Sequence, residues 1–296
     1  MRRTLVFGRS GQLGWELRHR LSCLGEVKTV GSSEVNFSSP DAIRGAIRDF
    51  APSIIVNAAA YTAVDKAESE PEAAWAINAT APGVLAEEAK RIGSLLVHYS
   101  TDYVFDGSKD GPYVESDGTN PLNEYGKSKL GGEKAITAVG GEYLIFRTSW
   151  VYGARGTNFL LTMMRLAKER PELRIVNDQT GAPTSSECIA QTTAHILAQI
   201  VAPRGGGLQG RGGLYHLTCA GATTWFGFAE EFLGKLSGES GLPLPKLVPI
   251  ATSEFPRPAK RPTNSRLSCL RLEEAFGVKM PEWQSALSLV LETLPR

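Results

Sequence analysis

Cysteine is scarce in this chain of 296 residues, and its four cysteines lie far apart, at Cys23, Cys188, Cys219 and Cys269. No C-x-x-C pair occurs, and the four histidines form no cluster with the cysteines. Disulfide frameworks and zinc sites both need closer spacings than these. We therefore expect free thiols in a reducing, cytoplasmic compartment and no metal site built on cysteine.

Long apolar runs and an excess of charge of one sign are also missing. No stretch approaches the roughly 20 apolar residues that cross a bilayer, and the apolar run near the start is too short for a signal peptide. Lysines and arginines number 32 against 31 aspartates and glutamates, so no strong field attracts nucleic acid or an acidic membrane. Hydrophobic residues still make up 42% of the chain, enough for a sizeable core.

What the first half does contain is an alternation of short apolar runs with longer amphipathic ones. The apolar runs predict strands at 4–7, 27–30, 53–60, 94–100 and 142–150. The amphipathic runs predict helices at 12–24, 38–50, 70–93 and 121–136. This alternation predicts an α/β fold with a doubly wound, Rossmann-like parallel sheet, and the continuous apolar strands fit burial on both faces.

The second half is less regular. Helices are predicted at 157–169, 186–201 and 223–236, with a strand at 214–218. The glycine-rich stretch 203–213 is interpreted as a connector, and the proline-rich stretch 243–262 as irregular. We predict a dinucleotide-binding domain at 1–150 and a smaller α/β domain at 151–296, with the option that later segments return to the first sheet.

Three glycines follow the first predicted strand in the sequence GRSGQLG, at Gly8, Gly11 and Gly14. Backbone N–H groups at the start of a helix can hold a pyrophosphate, and glycine allows the close approach this needs. The spacing is G-x-x-G-x-x-G, which departs from the strict G-x-G-x-x-G fingerprint. A dinucleotide site is therefore favoured, with a simple tight turn as the alternative.

The end of the second predicted strand bears on which cofactor is used. An acidic residue there would bind the ribose hydroxyls of NADH and oppose a 2′-phosphate. The expected positions hold Gly31, Ser32 and Ser33, while Glu34 comes slightly late and can still fold back. Arg9 can meet a 2′-phosphate, or can be an ordinary exposed arginine. These features favour NADPH and leave NADH open.

Tyr125 and Lys129 share one face of a predicted helix in the sequence YGKSK. A free tyrosine has a pKa of about 10, too high for proton exchange near neutrality, and a nearby ammonium lowers it. Lys129 can also bind the nicotinamide ribose. The pair therefore suits nicotinamide chemistry, although a solvated helix face would look the same.

Polar residues follow the strand SLLVHYS, at its carboxyl end, where ligands bind in open α/β sheets. Thr101 is favoured over Ser100 as the hydroxyl beside the tyrosine, with Asp102 next to it. The alternative for these residues is a turn or a helix cap. Trp150 lies at the end of the next predicted strand. It is predicted either to form an apolar wall against a sugar or to pack in the core.

Several longer stretches carry a family resemblance, from near the start of the chain to about Leu267. They are GRSGQLGWEL, IIVNAAAYTAVDKAESEPE, INATA, VHYSTDYVFDG, PLNEYGKSKLGGE, FRTSWVYG, IVNDQTGAPT and RPTNSRL. On these stretches the chain resembles the extended short-chain dehydrogenase/reductases, and within them the dTDP-4-dehydrorhamnose reductases. The resemblance implies hydride transfer to C4 of dTDP-4-dehydro-β-L-rhamnose, the last step of dTDP-rhamnose synthesis for cell-surface polysaccharide.

The resemblance also implies roles for single residues. Tyr125 is the expected proton donor, Lys129 the ribose ligand that tunes it, and Thr101 the group that orients the ketone. The expected cofactor contacts are Gly8, Arg9, Gly11, Gln12, Leu13, Gly14, Asn36, Phe37, Ala60, Tyr61, Thr62, Tyr125 and Lys129. The expected substrate contacts are Thr101, Asp102 and Trp150.

Magnesium and oligomeric state stay open at this stage. Some members of the resembled family bind magnesium between subunits through three glutamates. Glu16 and Glu187 match two of them, but Gln284 stands at the third. The match therefore provides only weak metal candidates, and a homodimer is one option.

Two other functions compete with the reductase. One is another nucleotide-sugar epimerase, reductase or dehydratase of the same superfamily, but Tyr103 follows Asp102 where dehydratases usually carry a second acid. The other is a non-catalytic, cofactor-binding regulatory subunit, against which Tyr125, Lys129 and Thr101 argue. Arg261, Asn264 and Arg266 would suit a diphosphate, although their spacing does not show that they converge.

Overall fold

The computed structural model describes residues 2–202, 207–240 and 244–294, and the side chains of residues 239 and 240 are left out. Part of the predicted connector, 203–206, lies outside the described residues. The strands are β1 (Arg3–Phe7), β2 (Glu26–Val30), β3 (Ile54–Asn57), β4 (Leu95–Thr101), β5 (Tyr143–Thr148), β6 (Val151–Tyr152), β7 (Glu172–Val176), β8 (Thr180–Gly181), β9 (Thr184–Ser185), β10 (Gly213–His216), β11 (Thr223–Thr224) and β12 (Lys246–Ile250).

The helices begin and end close to the predicted bounds in the first half. They are α1 (Gln12–Arg20), α2 (Pro40–Phe50), α3 (Val64–Ala67), α4 (Pro71–Trp75), α5 (Ala81–Ile92), α6 (Glu124–Val139), α7 (Phe159–Glu169), α8 (Ser186–Val201), α9 (Trp225–Ser240), α10 (Leu270–Phe276) and α11 (Trp283–Glu292). Among the described residues, none of these helices is long and apolar enough to cross a membrane.

The central sheet has six strands in the order β10-β5-β4-β3-β1-β2, and every neighbouring pair is parallel. The register places Phe7 opposite Val30 on one side and Asn57 on the other. The predicted doubly wound parallel sheet is therefore confirmed. Its carboxyl edge collects the ends of β1, β3, β4 and β5, which is where the candidate site lies.

Both faces of the sheet are buried under helices. Leu17 of α1 and Ile189 of α8 belong to the core on one face, and Ile47 of α2 and Ile136 of α6 to the core on the other. The second half of the chain thus contributes β10 to the central sheet and α8 to the helices that cover one of its faces. The division of the chain at residue 150 stays a prediction.

The predicted helix 70–93 is interrupted by a π-helical turn over Ala76–Thr80. Pro82 has no backbone N–H and cannot donate to the carbonyl of Asn78, so the regular helical ladder cannot continue through this turn. A Cβ on Gly132 would lie 2.2 Å from that same carbonyl oxygen. The turn therefore packs directly against α6, which carries Tyr125 and Lys129.

The interpretation of 243–262 as irregular is wrong for one part of it. Residues Lys246–Ile250 form β12, which pairs in parallel with β7. Pro249 is tolerated because this sheet has only two strands, so each strand has an open edge where a missing N–H costs nothing. These strands, α7 and α9 pack around a second core that includes Phe228 and Phe232.

Candidate active site

The glycine loop between β1 and α1 is folded tightly against the end of β3. Gly8 has φ +102°, and a Cβ there would lie 2.7 Å from the carbonyl of Ala58. A Cβ on Gly14 would lie 2.1 Å from the carbonyl oxygen of Gly8, so Gly14 serves the turn itself. Gly11 caps α1 without a side chain, which leaves N–H groups at the helix start for an anion.

A cavity of about 650 Å³ runs from this loop along the carboxyl edge of the sheet. It is lined by most of the residues predicted to bind the cofactor, namely Gly8, Gly11, Gln12, Leu13, Phe37, Ala60, Thr62, Tyr125 and Lys129. Lining residues that the sequence did not indicate include Ser10, Val35, Ile77, Thr148, Gly156 and Thr157. The last two come from the second half of the chain, where no pattern marked them.

Four predicted cofactor residues do not line this cavity: Arg9, Gly14, Asn36 and Tyr61. The phenol of Tyr61 donates to Glu70 Oε2 at 2.6 Å and is thereby turned aside. Asn36 accepts the backbone N–H of Ser38 at 3.0 Å and shapes the turn after β2.

Glu34 folds back onto the end of β2. Its Oε2 accepts the backbone N–H of Gly31 at 2.9 Å and the hydroxyl of Ser33 at 2.9 Å. Its Oε1 forms an ion pair with Arg9. The Gly31 N–H, together with Ser33 and Arg9, lowers the pKa of Glu34 below its usual value. Gly31 borders the cavity, so the Glu34 carboxylate and the Arg9 side chain lie next to this part of its wall.

The phenol of Tyr125 lies beside the Thr101 hydroxyl at the end of β4, and this hydroxyl opposes the rise in its pKa. Thr101 Oγ1 donates to Asp102 Oδ1 at 2.9 Å and accepts the backbone N–H of Tyr103 at 3.2 Å. Asn123 caps α6 by accepting the N–H of Gly126 at 2.8 Å, which fixes the first turn that carries Tyr125. Spacing alone could not show that the phenol and this hydroxyl meet.

The pKa of Tyr125 lies opposite to the expectation from the sequence. Burial raises it to about 12, with a smaller upward contribution from Asp102 and an opposing one from the Thr101 hydrogen bond. Lys129 does not lower the pKa of Tyr125 as expected. Its Nζ instead donates to the carbonyl oxygen of Tyr99 at 2.6 Å. In the protein alone, Tyr125 therefore holds its proton at neutral pH.

Burial also shifts the two charged neighbours of Tyr125. The pKa of Lys129 falls to about 8, although Glu133 opposes this. The pKa of Asp102 rises to about 6, opposed by the hydroxyls of Ser265 and Thr101. Asp102 Oδ2 is buried without a partner at hydrogen-bonding geometry.

A buried ion pair supports the strand end from below. Glu133 accepts from Arg147 Nε at 2.9 Å, from Arg147 Nη2 at 2.6 Å and from the hydroxyl of Ser100 at 2.5 Å. Both charged side chains are almost fully buried. The Ser100 hydroxyl is therefore committed to Glu133, which leaves Thr101 as the hydroxyl beside Tyr125.

Replacing Glu133 with glutamine is expected to destabilise the fold, because the buried guanidinium of Arg147 loses its counter-charge. The expected loss is about 3–5 kcal/mol in the free energy of unfolding, measured by denaturant titration. The matched control is Glu169→Gln, which breaks the exposed pair of Glu169 with Arg165 and should cost less than about 1 kcal/mol. Equal losses in the two variants would contradict the structural role assigned to Glu133.

Asn78, in the π-helical turn, connects the cofactor cavity to α6. Its side chain accepts the N–H of Tyr61 at 2.9 Å and donates to the carbonyl of Tyr61 at 3.0 Å. It also donates to the hydroxyl of Ser128 at 3.0 Å. This residue holds the segment after β3 in register with the helix that carries Tyr125 and Lys129. Sequence reasoning did not single it out.

A second cavity of about 500 Å³ lies in the second half of the chain. Its walls carry the cations Arg174, Arg257, Lys260 and Arg261 and the aromatic residues Phe159, Trp225 and Phe255. Arg261 pairs with Asp65 at 3.0 Å, and its charge opposes the rise that burial causes in the pKa of Tyr103. The ring of Tyr103 packs edge-on against the ring of Tyr125 at 5.7 Å. Tyr103 therefore lies near Arg261 of the second cavity and against the ring of Tyr125.

The comparisons with known proteins agree along the whole chain. A family model described as RmlD substrate binding domain matches residues 1–295. A dTDP-4-dehydrorhamnose reductase of Burkholderia thailandensis is 50% identical, covering 98% of each chain. The enzyme of that name from Escherichia coli K12 is 46% identical, covering 98% of this chain and 97% of its own.

The chain belongs to the dTDP-4-dehydrorhamnose reductase family.

Solved structures of the family share this architecture. A dTDP-4-dehydrorhamnose reductase of Clostridium acetobutylicum has a TM-score of 0.89 and 37% identity, covering 98% of each chain. A Bacillus anthracis dTDP-4-dehydrorhamnose reductase in complex with NADP also has a TM-score of 0.89, with 31% identity and 99% of each chain covered. The resemblance inferred from the sequence is thus confirmed at the level of family and fold.

Two residues suggested for a diphosphate in this family member serve the fold instead. Asn264 donates to the carbonyl oxygens of Lys109 at 2.6 Å and Gly111 at 2.9 Å. Arg266 donates to Asn264 Oδ1 at 2.9 Å and bonds the carbonyl of Asp110. Of the three suggested residues, only Arg261 lines a cavity.

Among the described residues, no group of three or more histidine, cysteine, aspartate or glutamate side chains can hold a metal ion. Glu187 forms an ion pair with Arg20. Burial, and then the charge of Glu187, raises the pKa of Glu16. Magnesium binding by these residues stays untested.

Proposed function

We propose that this protein reduces the C4 ketone of dTDP-4-dehydro-β-L-rhamnose to dTDP-β-L-rhamnose, with NADPH as the preferred donor and NADH as an alternative. The observation that carries the proposal is the buried phenol of Tyr125 on the wall of the first cavity, with Lys129 on the same wall and the Thr101 hydroxyl beside it. The names of relatives at 50% and 46% identity support the same reaction.

The first cavity suits a nicotinamide dinucleotide. The N–H groups after Gly11 would hold its pyrophosphate, and Lys129 would hold the nicotinamide ribose. Lys129 donates one N–H to Tyr99, which leaves two N–H groups for ribose hydroxyls. When bound, the cofactor supplies the hydride. The NADP complex of the Bacillus anthracis relative supports this assignment.

Tyr125 is the proposed proton donor to the C4 oxygen. Reduction leaves negative charge on that oxygen, and a buried phenol that keeps its proton at neutral pH can neutralise it. Thr101 is proposed to orient the phenol, because its hydroxyl lies beside that of Tyr125. Asp102 is proposed to contact the substrate next to Thr101, with which it shares a hydrogen bond.

The second cavity is proposed to hold the nucleotide and its diphosphate. Four cationic side chains line it. A guanidinium group can donate two parallel hydrogen bonds to the oxygens of one phosphate. Arg261 would bind the diphosphate near Tyr103. The sugar would then extend from the diphosphate toward Tyr125. The test is nicotinamide consumption with dTDP-4-dehydrorhamnose and identification of the product by NMR. Tight cofactor binding without consumption would favour a regulatory subunit and defeat the proposal.

Glu34 is expected to weaken the preference for NADPH over NADH. Its carboxylate repels a 2′-phosphate, and it also neutralises Arg9. We expect Glu34→Gln to raise the ratio of kcat/KM for NADPH to that for NADH about tenfold. Glu26→Gln, at the other end of β2 in an exposed pair with Arg3, is the control and should leave the ratio unchanged.

The binding of 2′,5′-ADP tests the same idea without turnover. The Glu34→Gln protein should bind it more tightly than the unaltered protein, and Arg9→Ala should bind it more weakly. A ratio and an affinity that stay the same in Glu34→Gln would show that Glu34 does not act at the adenosine end.

A further inference from the structure

Trp150 has a backbone conformation that side-chain-bearing residues rarely adopt. Its φ is +47°, in the left-handed region. Such conformations persist only where the surrounding structure holds them in place. The backbone is held by the N–H of Thr184, which donates to the carbonyl of Trp150 at 3.2 Å. The position of the indole is therefore a specific feature of the fold.

Both faces of the Trp150 indole are covered. On one face, the ring of Trp225 stacks at a centroid distance of 3.6 Å with 8° between the planes. A Cβ on Gly181 would lie 2.5 Å from Cε2 of Trp150 and 2.8 Å from both Nε1 and Cζ2. Nearly equal distances to three ring atoms place Gly181 over a face and not at the edge. Trp225 fills that space on its own side, so Gly181 covers the opposite face.

Trp225, and not Trp150, borders the second cavity. Its indole Nε1 donates to Gln179 Oε1 at 3.2 Å, and Gln179 in turn donates to Thr252 Oγ1 at 3.0 Å. The ring of Phe159 lies 4.7 Å from it at 47°. Trp150, Gln179 and Phe159 thus fix the orientation of the Trp225 indole against the cavity.

We propose that Trp225 is the aromatic residue that contacts the sugar nucleotide in the second cavity, with Trp150 as the positioning residue behind it. This proposal rests on the proposed function and assigns the contact to a residue that the motif match did not include. The surrounding cations suit a diphosphate, and an indole offers an apolar surface for a pyrimidine or for the C–H face of a sugar.

Tryptophan fluorescence distinguishes the two indoles. The probe is dTDP-glucose, which has the nucleotide and a hexose but no ketone at C4. We expect Trp150→Phe to keep the fluorescence change on binding this probe and Trp225→Phe to lose it. A change that survives in Trp225→Phe and disappears in Trp150→Phe would assign the contact to Trp150 and overturn the proposal.

Circular dichroism tests the stack itself. Two indoles stacked at this distance couple in the far ultraviolet, and the resulting paired bands should vanish in both phenylalanine variants. Trp75→Phe, which changes an exposed tryptophan on α4, is the control and should keep them. Unaltered protein without the paired bands would show that the stack is absent in solution and would overturn the proposal.

Kinetics provides the third readout. Trp225→Leu is expected to raise the KM for the ketosugar nucleotide about tenfold, with kcat within about threefold and the Kd for NADPH unchanged. An unchanged KM would count against the contact. Failure of the proposed function would look different, because the unaltered protein would bind dTDP-glucose, with its fluorescence change, yet reduce no ketosugar.

Discussion

Replacing Tyr125 with phenylalanine is expected to lower kcat roughly 10²- to 10⁴-fold while the Kd for NADPH changes little. The variant keeps the ring that packs against Tyr103 but removes the hydroxyl that is proposed to donate the proton. Steady-state consumption of NADPH with dTDP-4-dehydrorhamnose measures the rate, and cofactor titration measures the affinity.

The matched control is Tyr152→Phe. The hydroxyl of Tyr152 is buried in the second core without a hydrogen-bond partner, so its removal should leave kcat unchanged. Thr101→Val should also lower kcat, because the phenol loses the group that directs it. A Tyr125→Phe protein that reduces the ketosugar at the unaltered rate would show that another group donates the proton.

Replacing Lys129 with methionine is expected to weaken NADPH binding and lower kcat, because the ribose loses its cation. It should not weaken the fold. Burial lowers the pKa of Lys129 from 10.5 to about 8, so the unfolded chain binds more protons than the folded one between these values. Methionine removes a buried charge that costs on the order of 3 kcal/mol below pH 8, partly offset by the lost bond to Tyr99.

The pH dependence gives the same claim a second test. In the unaltered protein, the affinity for NADPH should fall as the pH rises through about 8, where Lys129 loses its proton, while the free energy of unfolding should rise between pH 8 and 10.5. Both trends should be absent in Lys129→Met. Lys134→Met, at an exposed position further along α6, is the control. A Lys129→Met protein that binds NADPH normally would contradict the ribose assignment.

The sequence was sufficient for features that depend on neighbours along the chain. The alternation of apolar and amphipathic runs predicted the parallel sheet, and the spacing of Tyr125 and Lys129 predicted a shared helix face. The position of the glycines after β1 predicted the turn that faces the first cavity. Each of these follows from local periodicity or from the backbone freedom of glycine.

The rest depends on contacts between segments that are distant in sequence. The sign of the Tyr125 pKa shift was wrong because spacing does not show burial or where the Lys129 ammonium points. The hydroxyl of Ser100 donates to Glu133, which lies on another element. Trp150 is covered by Trp225 and Gly181, and only the fold brings these three together. Motif matching alone therefore indicated Trp150, and only the fold brought Trp225 into consideration.

The most direct test of the central claim uses NADPH with deuterium at the transferred position of the nicotinamide. After incubation with dTDP-4-dehydro-β-L-rhamnose, we expect NMR to show dTDP-β-L-rhamnose with deuterium at C4 of the sugar, and almost none formed by Tyr125→Phe in the same time. Deuterium at another carbon, or consumption of NADPH without this product, would contradict the account.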